Sequence, residues 1–337
     1  MSKTIGVVGA GGWGIALAGL LADKGEPVTL WCHGADSYEE LERKRESSAY
    51  LGGIILPPAV KITRTLAEAV AEKFLVICAV PSHAMREVMT PAAVHVADQA
   101  RIISAAKGLE EESLKTMGEV LSDIFGASRK SNHGFLSGPT FAIEVARGLP
   151  AAVTVAADNE EVAAAVQETL STQNFRVYTS RDVVGVQMGG VVKNVIAIAA
   201  GISDGLGLGQ NARAALITRG LAEMTRLAVR MGAEPLTLAG LPGLGDLILT
   251  CAGDLSRNRK VGLDIARGRS LRESIAGAKT VAEGIRNTRS VYLLARRLGV
   301  EMPIVEQMFY VLYEGKKAAA AVRDLLDRSL KAEIPQN

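Results

Sequence analysis

Cysteine is scarce in this 337-residue chain. The three residues, Cys32, Cys78 and Cys251, are odd in number, far apart and form no C-x-x-C pair. That excludes a disulfide framework and a readable zinc site, and such thiols fit a cytoplasmic setting. Aromatic residues make up only 4%, too few for a base-stacking surface on single-stranded nucleic acid. Neither sign of charge dominates: Lys+Arg 38 stands against Asp+Glu 36, a formal +2. No whole-chain field therefore draws the protein to nucleic acid or to an acidic membrane. His83, His95 and His133 show no ligand spacing, so no metal is expected. Long apolar runs are missing too. Ile5–Ala10 is too short for a signal peptide. Gly189–Ala200 is interrupted by Lys193 and Asn194 and falls short of the roughly 20 residues that span a bilayer. The expectation is a soluble cytoplasmic protein without membrane insertion or a nucleic-acid partner.

What is present is 48% hydrophobic residues and 35 glycines, at a length suited to two domains. The first half alternates short apolar runs with amphipathic segments. Strands are expected at Thr4–Val8, Val28–Trp31, Phe74–Val80, Arg101–Ala105, Gly134–Ser137, Ala151–Ala156 and Arg176–Thr179. Helices are expected at Gly12–Asp23, His83–Val88, Ser113–Phe125 and Glu160–Leu170. Apolar strands separated by helices predict a doubly wound parallel sheet. From about Val183 the pattern turns helical throughout, at Val186–Ala200, Ala212–Met231, Val281–Leu298, Ile304–Leu312 and Ala319–Leu330. The fold class is thus α/β: a Rossmann sheet over residues 1–185, then an all-helical domain over 186–337. The apolar faces of the helical part suggest a homodimer.

The opening segment places Gly9, Gly11 and Gly14 in G-x-G-x-x-G spacing, after a strand and at the start of a helix. Gly9 permits the tight turn, Gly11 lets backbone approach a pyrophosphate, and Gly14 lets helix pack on strand. The helix N-terminus then offers N–H groups and positive dipole to phosphate. No acid stands at positions 31–34, where an NAD-restricted site would bind a ribose hydroxyl. His33 can face a 2′-phosphate there, or be an ordinary loop histidine. Lys107 follows a strand end, where an ammonium can meet an anionic ligand or simply mark the strand's exit.

Two segments look chemical. Lys193 lies in "MGGVVKNVIAIAA", apolar almost all round. Burial would lower its pKa toward that of a general acid/base, unless the head snorkels to water. In "CAGDLSRNRKVG", Ser256 is a good N-cap that puts Arg257, Asn258, Arg259 and Lys260 in a first helical turn. Cations there oppose the macrodipole; a bound phosphate would reconcile them, as would a solvated basic face. Weaker signals are Thr140, read as an N-cap after the Gly138-Pro139 turn, and Asp246, read in a glycine-rich loop within reach of Lys193. Glu283 opens a helix and can also meet a ligand.

These segments, with "YLGGIILPPAV", "SAAKGLE", "LSGPTFAIEVARG" and "DGLGLGQNARAALITRG", resemble the bacterial-type NAD(P)-dependent glycerol-3-phosphate dehydrogenases nearly end to end. The resemblance implies Lys193 as catalytic acid/base. It implies substrate contacts at Lys107, Gly138, Thr140, Lys193, Asp246, Ser256, Arg257 and Asn258. It implies cofactor contacts, for NADP(H) and/or NAD(H), at Gly12, Trp13, His33, Lys107, Ala142, Arg257, Val281 and Glu283, beside Gly9, Gly11 and Gly14. The implied reaction is hydride transfer between sn-glycerol 3-phosphate and dihydroxyacetone phosphate, supplying glycerophospholipid synthesis. Gly12 stands where the family often has serine, and His33 where it often has arginine. Competing readings are a related dehydrogenase of a hydroxy acid or 6-phosphogluconate, and a non-enzymatic NAD(P)H sensor. The first would want a carboxylate-binding arginine in place of "SRNRK", and the second needs neither Lys193 nor a second phosphate site.

Overall fold

The computed structural model describes residues 3–276, 282–330 and 332–333. Eight strands form one sheet: β1 Ile5–Val8, β2 Val28–Trp31, β3 Lys61–Thr63, β4 Leu75–Cys78, β5 Arg101–Ser104, β6 His133–Ser137, β7 Ala151–Ala156 and β8 Phe175–Ser180. Their order is β3-β2-β1-β4-β5-β6-β7-β8. All of β1, β2 and β4 is buried, as expected for parallel strands covered by helices on both faces.

The structure corrects the all-parallel expectation at one place: β6 and β7 are antiparallel. After β6 the chain stays at the sheet's C-terminal edge, where the short Ala142–Ala146 helix packs on Gly12–Asp23. It therefore enters β7 from that same edge and runs back. Several elements also lacked a readable pattern, β3 and the Ala35–Lys44 helix among them. β3 is only three residues long, and the Ala35–Lys44 helix buries Leu41 alone. Nearer the middle, the helix expected from Ser113 starts at Met117, behind a capping box made by Thr116 and Glu119.

No linker separates the two halves. β8 ends at Ser180, and Asp182 caps the next helix, accepting from Gly185 N at 2.7 Å. That helix, Val183–Gly205, runs 23 residues and is buried over nearly its whole length. It is longer than the apolar stretch suggested, and by length and composition alone it could cross a membrane. In the fold, 83% of its apolar window is buried inside the protein. A helix that is apolar all round is a core helix when others surround it. Around it pack Gly209–Arg230, Asp246–Ala252, Arg257–Ala266 and Glu283–Leu298. The last helix, Ala318–Leu326, stops four residues before the expected end.

The contact with Arg257–Ala266 is unusually close. A Cβ on Gly201 would sit 2.0 Å from the Arg259 carbonyl oxygen, and one on Gly262 would sit 2.0 Å from that of Ile198. The two backbones touch because side chains are missing. This docks the start of Arg257–Ala266 beside Lys193 and Asn194.

Candidate active site

The glycine-rich end has the shape its spacing predicts. Gly9 holds φ +116°, a conformation that side chains disfavour. A Cβ on Gly14 would lie 1.8 Å from the Gly9 carbonyl oxygen, whereas one on Gly11 would meet nothing within 4 Å. Gly14 is thus required by packing, and Gly11 faces open space at a helix N-terminus whose cap supplies no side-chain hydrogen bond. Ala142 stands opposite, its Cβ 3.7 Å from where a Gly12 Cβ would be. The Trp13 indole N–H is buried without a partner among the described residues. An open backbone cradle and an orphaned donor fit a bound dinucleotide. His33 is exposed just past β2, its ring 5.5 Å from that of Trp31.

The chemical centre lies where the C-terminal end of the sheet meets Val183–Gly205. The Lys193 ammonium donates to Asp246 Oδ1 at 2.5 Å and to Thr250 Oγ1 at 3.0 Å. Lys107 donates to Asp246 Oδ2 at 2.8 Å and to the Gly138 carbonyl at 3.0 Å. One carboxylate thus joins two lysines. Asp246 is 1% exposed and Lys193 6%, so these charges are largely out of water. Burial drives the Lys193 pKa down to about 8; Asp246 opposes the fall and Lys107 adds to it. For Asp246, burial pushes upward, but Lys107 and Lys193 outweigh it and hold the carboxyl below its usual range.

Asparagines brace this centre. Asn194 donates to the Lys107 and Gly190 carbonyls at 3.3 and 3.2 Å, and accepts from the Asn258 amide at 2.9 Å. Asn258 in turn accepts from Gly284 N at 3.0 Å. Asn287 donates to the Lys107 and Val191 carbonyls. Thr250 and Asn287 were not picked out from the sequence. Threonine in an apolar helix gives no signal, although an asparagine at a buried helical position is a hint of the same kind as Asn194.

Ser256 is the N-cap expected, accepting from Arg259 N at 3.2 Å. The structure resolves part of the charge conflict at that helix start. Arg259 pairs with Asp204 at 2.7 Å and Asp254 at 3.0 Å. Arg257 is exposed and has no ion-pair partner among the described residues. Glu283 opens the Glu283–Leu298 helix; burial raises its pKa, opposed by Arg257 and Lys107.

Two expectations need correction. Thr140 is not the N-cap; Phe141 holds that position, and the Thr140 hydroxyl donates back to the Gly138 carbonyl at 3.3 Å. Asp246 is not in a loop but begins the Asp246–Ala252 helix, after a π turn over Leu241–Gly245. That turn aims its carboxylate at both lysines. Val281 lies outside the described residues. A cavity of about 600 Å³ lined by Ile15, Gly19, Leu20, Ile55 and Leu149 includes none of these groups.

The arrangement combines a buried lysine whose pKa falls to about 8, a helix start that carries an exposed arginine, and an open glycine-rich backbone at another helix start. Residues 4–163 match the N-terminal model of NAD-dependent glycerol-3-phosphate dehydrogenase, and residues 182–323 match its C-terminal model. A glycerol-3-phosphate dehydrogenase [NAD(P)+] of Geobacter sp. (strain M21) is 54% identical over 333 residues, covering 99% of each chain. One from Myxococcus xanthus is 49% identical, covering 97% of this chain and 98% of that one. The crystal structure of glycerol-3-phosphate dehydrogenase from Coxiella burnetii superposes with a TM-score of 0.93 at 40% identity, covering 97% of this chain and 99% of that chain.

Proposed function

The chain belongs to the NAD-dependent glycerol-3-phosphate dehydrogenase family and interconverts sn-glycerol 3-phosphate and dihydroxyacetone phosphate with NAD(P)(H), and we propose that Lys193 carries the proton in this reaction. The observation that carries the proposal is the buried Lys193–Asp246 pair, with the lysine's pKa brought down to about 8. The nicotinamide, when bound, supplies or accepts the hydride at the substrate carbon. In reduction, protonated Lys193 donates to the carbonyl oxygen as it becomes an alkoxide. In oxidation, neutral Lys193 takes the hydroxyl proton. Asp246 and Thr250 fix the ammonium's position, and Lys107 presents a second cation on the same carboxylate.

The substrate's phosphate takes the helix start at residues 256–258, where Ser256 caps and Arg257 supplies an exposed guanidinium that is unpaired among the described residues. Gly138, Thr140 and Asn258 border the reacting end. Gly9, Gly11, Gly12, Trp13, Gly14 and Ala142 form the cofactor cradle, with His33 toward the adenosine and Lys107, Arg257, Val281 and Glu283 toward the nicotinamide. Residues 1–185 then carry most of the cofactor and 186–337 most of the substrate, each lending residues to the other's ligand where the two meet. We place the enzyme in the cytoplasm as a homodimer that supplies glycerol 3-phosphate to phospholipid synthesis. Consumption of NADPH or NADH with dihydroxyacetone phosphate, set against unphosphorylated dihydroxyacetone, tests the phosphate seat. Equal rates with both ketones would remove it. Sedimentation of the purified protein tests the dimer.

A further inference from the structure

The parallel pairing of β2 with β3 brings an arginine and a histidine to adjacent strand ends. Trp31 pairs with Thr63 at the C-terminal end of both strands, and Cys32 N donates to the Thr63 carbonyl at 2.9 Å. Beyond that pair Cys32 and Arg64 come next on the two chains, and His33 follows Cys32; His33 and Arg64 are both exposed. The Trp31 indole donates to the Arg64 carbonyl at 3.0 Å, pinning the backbone that carries the guanidinium. The guanidinium lies close enough to the buried Cys32 thiol to offset part of burial's upward push on it. No hydrogen bond or ion pair holds the Arg64 side chain among the described residues. The Ala35–Lys44 helix also starts here, with Gly34 as a cap that has no side-chain bond and Asp36 as the one acid in its first turn.

In a sheet of this order the adenosine ribose lies beyond the end of the second strand. We propose that Arg64 seats the 2′-phosphate of NADP(H), with His33 and the N-terminus of the Ala35–Lys44 helix completing the site. This rests on the reading of residues 1–185 as the cofactor domain. Arg64 supplies what His33 does not: a permanent charge and a planar fork that matches phosphate. Its place is outside the second-strand position where such selectivity is usually sought.

The test is equilibrium binding of four probes, 2′,5′-ADP, 5′-AMP, NADPH and NADH, to wild type, Arg64→Ala and Arg64→Lys. Arg64→Ala should weaken 2′,5′-ADP and NADPH by about 10- to 100-fold and leave 5′-AMP and NADH nearly unchanged. Arg64→Lys should fall between, and the difference should shrink with added salt. Equal weakening of all four would show the guanidinium stacking on adenine, and overturn the proposal. So would unchanged binding, or a wild type that prefers NADH because Asp36 holds the ribose hydroxyls. Failure of the wild type to bind either dinucleotide would instead overturn the cofactor-domain reading. Because the side chain is exposed, matching thermal melts should show that the variants keep the fold.

Discussion

Lys193 and Asp246 face one another at 2.5 Å, one on the core helix and the other at the first residue of a helix 53 positions further along. The lysine reaches its carboxylate only because a π turn ends where Asp246 begins. In the role proposed for Lys193, the pairing governs both the reactivity and the pH behaviour of the site.

Replacing Lys193 with methionine should lower turnover by about 100-fold or more, the usual contribution of a positioned acid/base. The fold should survive, because Lys107 still satisfies Asp246. Dinucleotide affinity, read by titration, should change little. Near wild-type reduction of dihydroxyacetone phosphate by a folded variant would assign Lys193 a structural role only.

The two reaction directions should respond oppositely to pH. With Lys193 as the proposed acid/base, oxidation uses its neutral form, so the oxidation rate should rise through about pH 8, while reduction should fall over the same range. Stability has a definite sign as well. The folded pKa, about 8, lies below the ordinary 10.5, so between those values the unfolded chain binds the extra proton. The Lys193 contribution should therefore make stability rise with pH across that window. Paired rate profiles and denaturant melts check both statements, with Lys193→Met as the flat control.

Asp246→Asn should move the rate limb toward lower pH, because the carboxylate is what opposes the fall of the Lys193 pKa. It should also destabilise by about 3–5 kcal/mol, the cost of leaving buried charges without their partner. A limb that stays in place would separate the carboxylate from the lysine's titration.

Gly11 and Gly14 should fail differently. Gly11→Val puts its side chain into open space and should keep the melting temperature while losing dinucleotide affinity. Gly14→Ala forces a carbon into the Gly9 carbonyl and should lower stability first. Unchanged NADPH binding by folded Gly11→Val would displace the cradle.

Arg257→Ala should raise KM for the phosphorylated ketone by about 10- to 100-fold, equivalent to a charge-assisted bond of roughly 1.5–3 kcal/mol. Arg259→Ala should instead act through stability, since it removes one of the two arginines paired with Asp204. Steady-state kinetics beside thermal melts separate the two arginines. Identical behaviour would contradict the split between a free and a paired guanidinium.

Residues that break a local rule were the ones readable in advance. Lys193 is a charge in an apolar helix, Arg257 is a cation at a helix start, and Gly9 and Gly14 occupy positions a side chain cannot share. The antiparallel β6–β7 pair was hidden because apolar strands read alike in either direction. β3 was too short to show a period, and Ala35–Lys44 buries too little. Thr250 was silent for another reason: its role depends on what faces it across 57 residues of chain. Arg64 gains its meaning only from the pairing of β2 with β3.

The close contact between Gly201 and Gly262 makes the active site a measuring device. It fixes the spacing between the proposed proton carrier and the proposed phosphate seat by backbone contact, with no flexible side chain to absorb a change. A substrate must match that span, so a phosphorylated ketone one carbon longer should be refused by geometry even with both recognition groups intact.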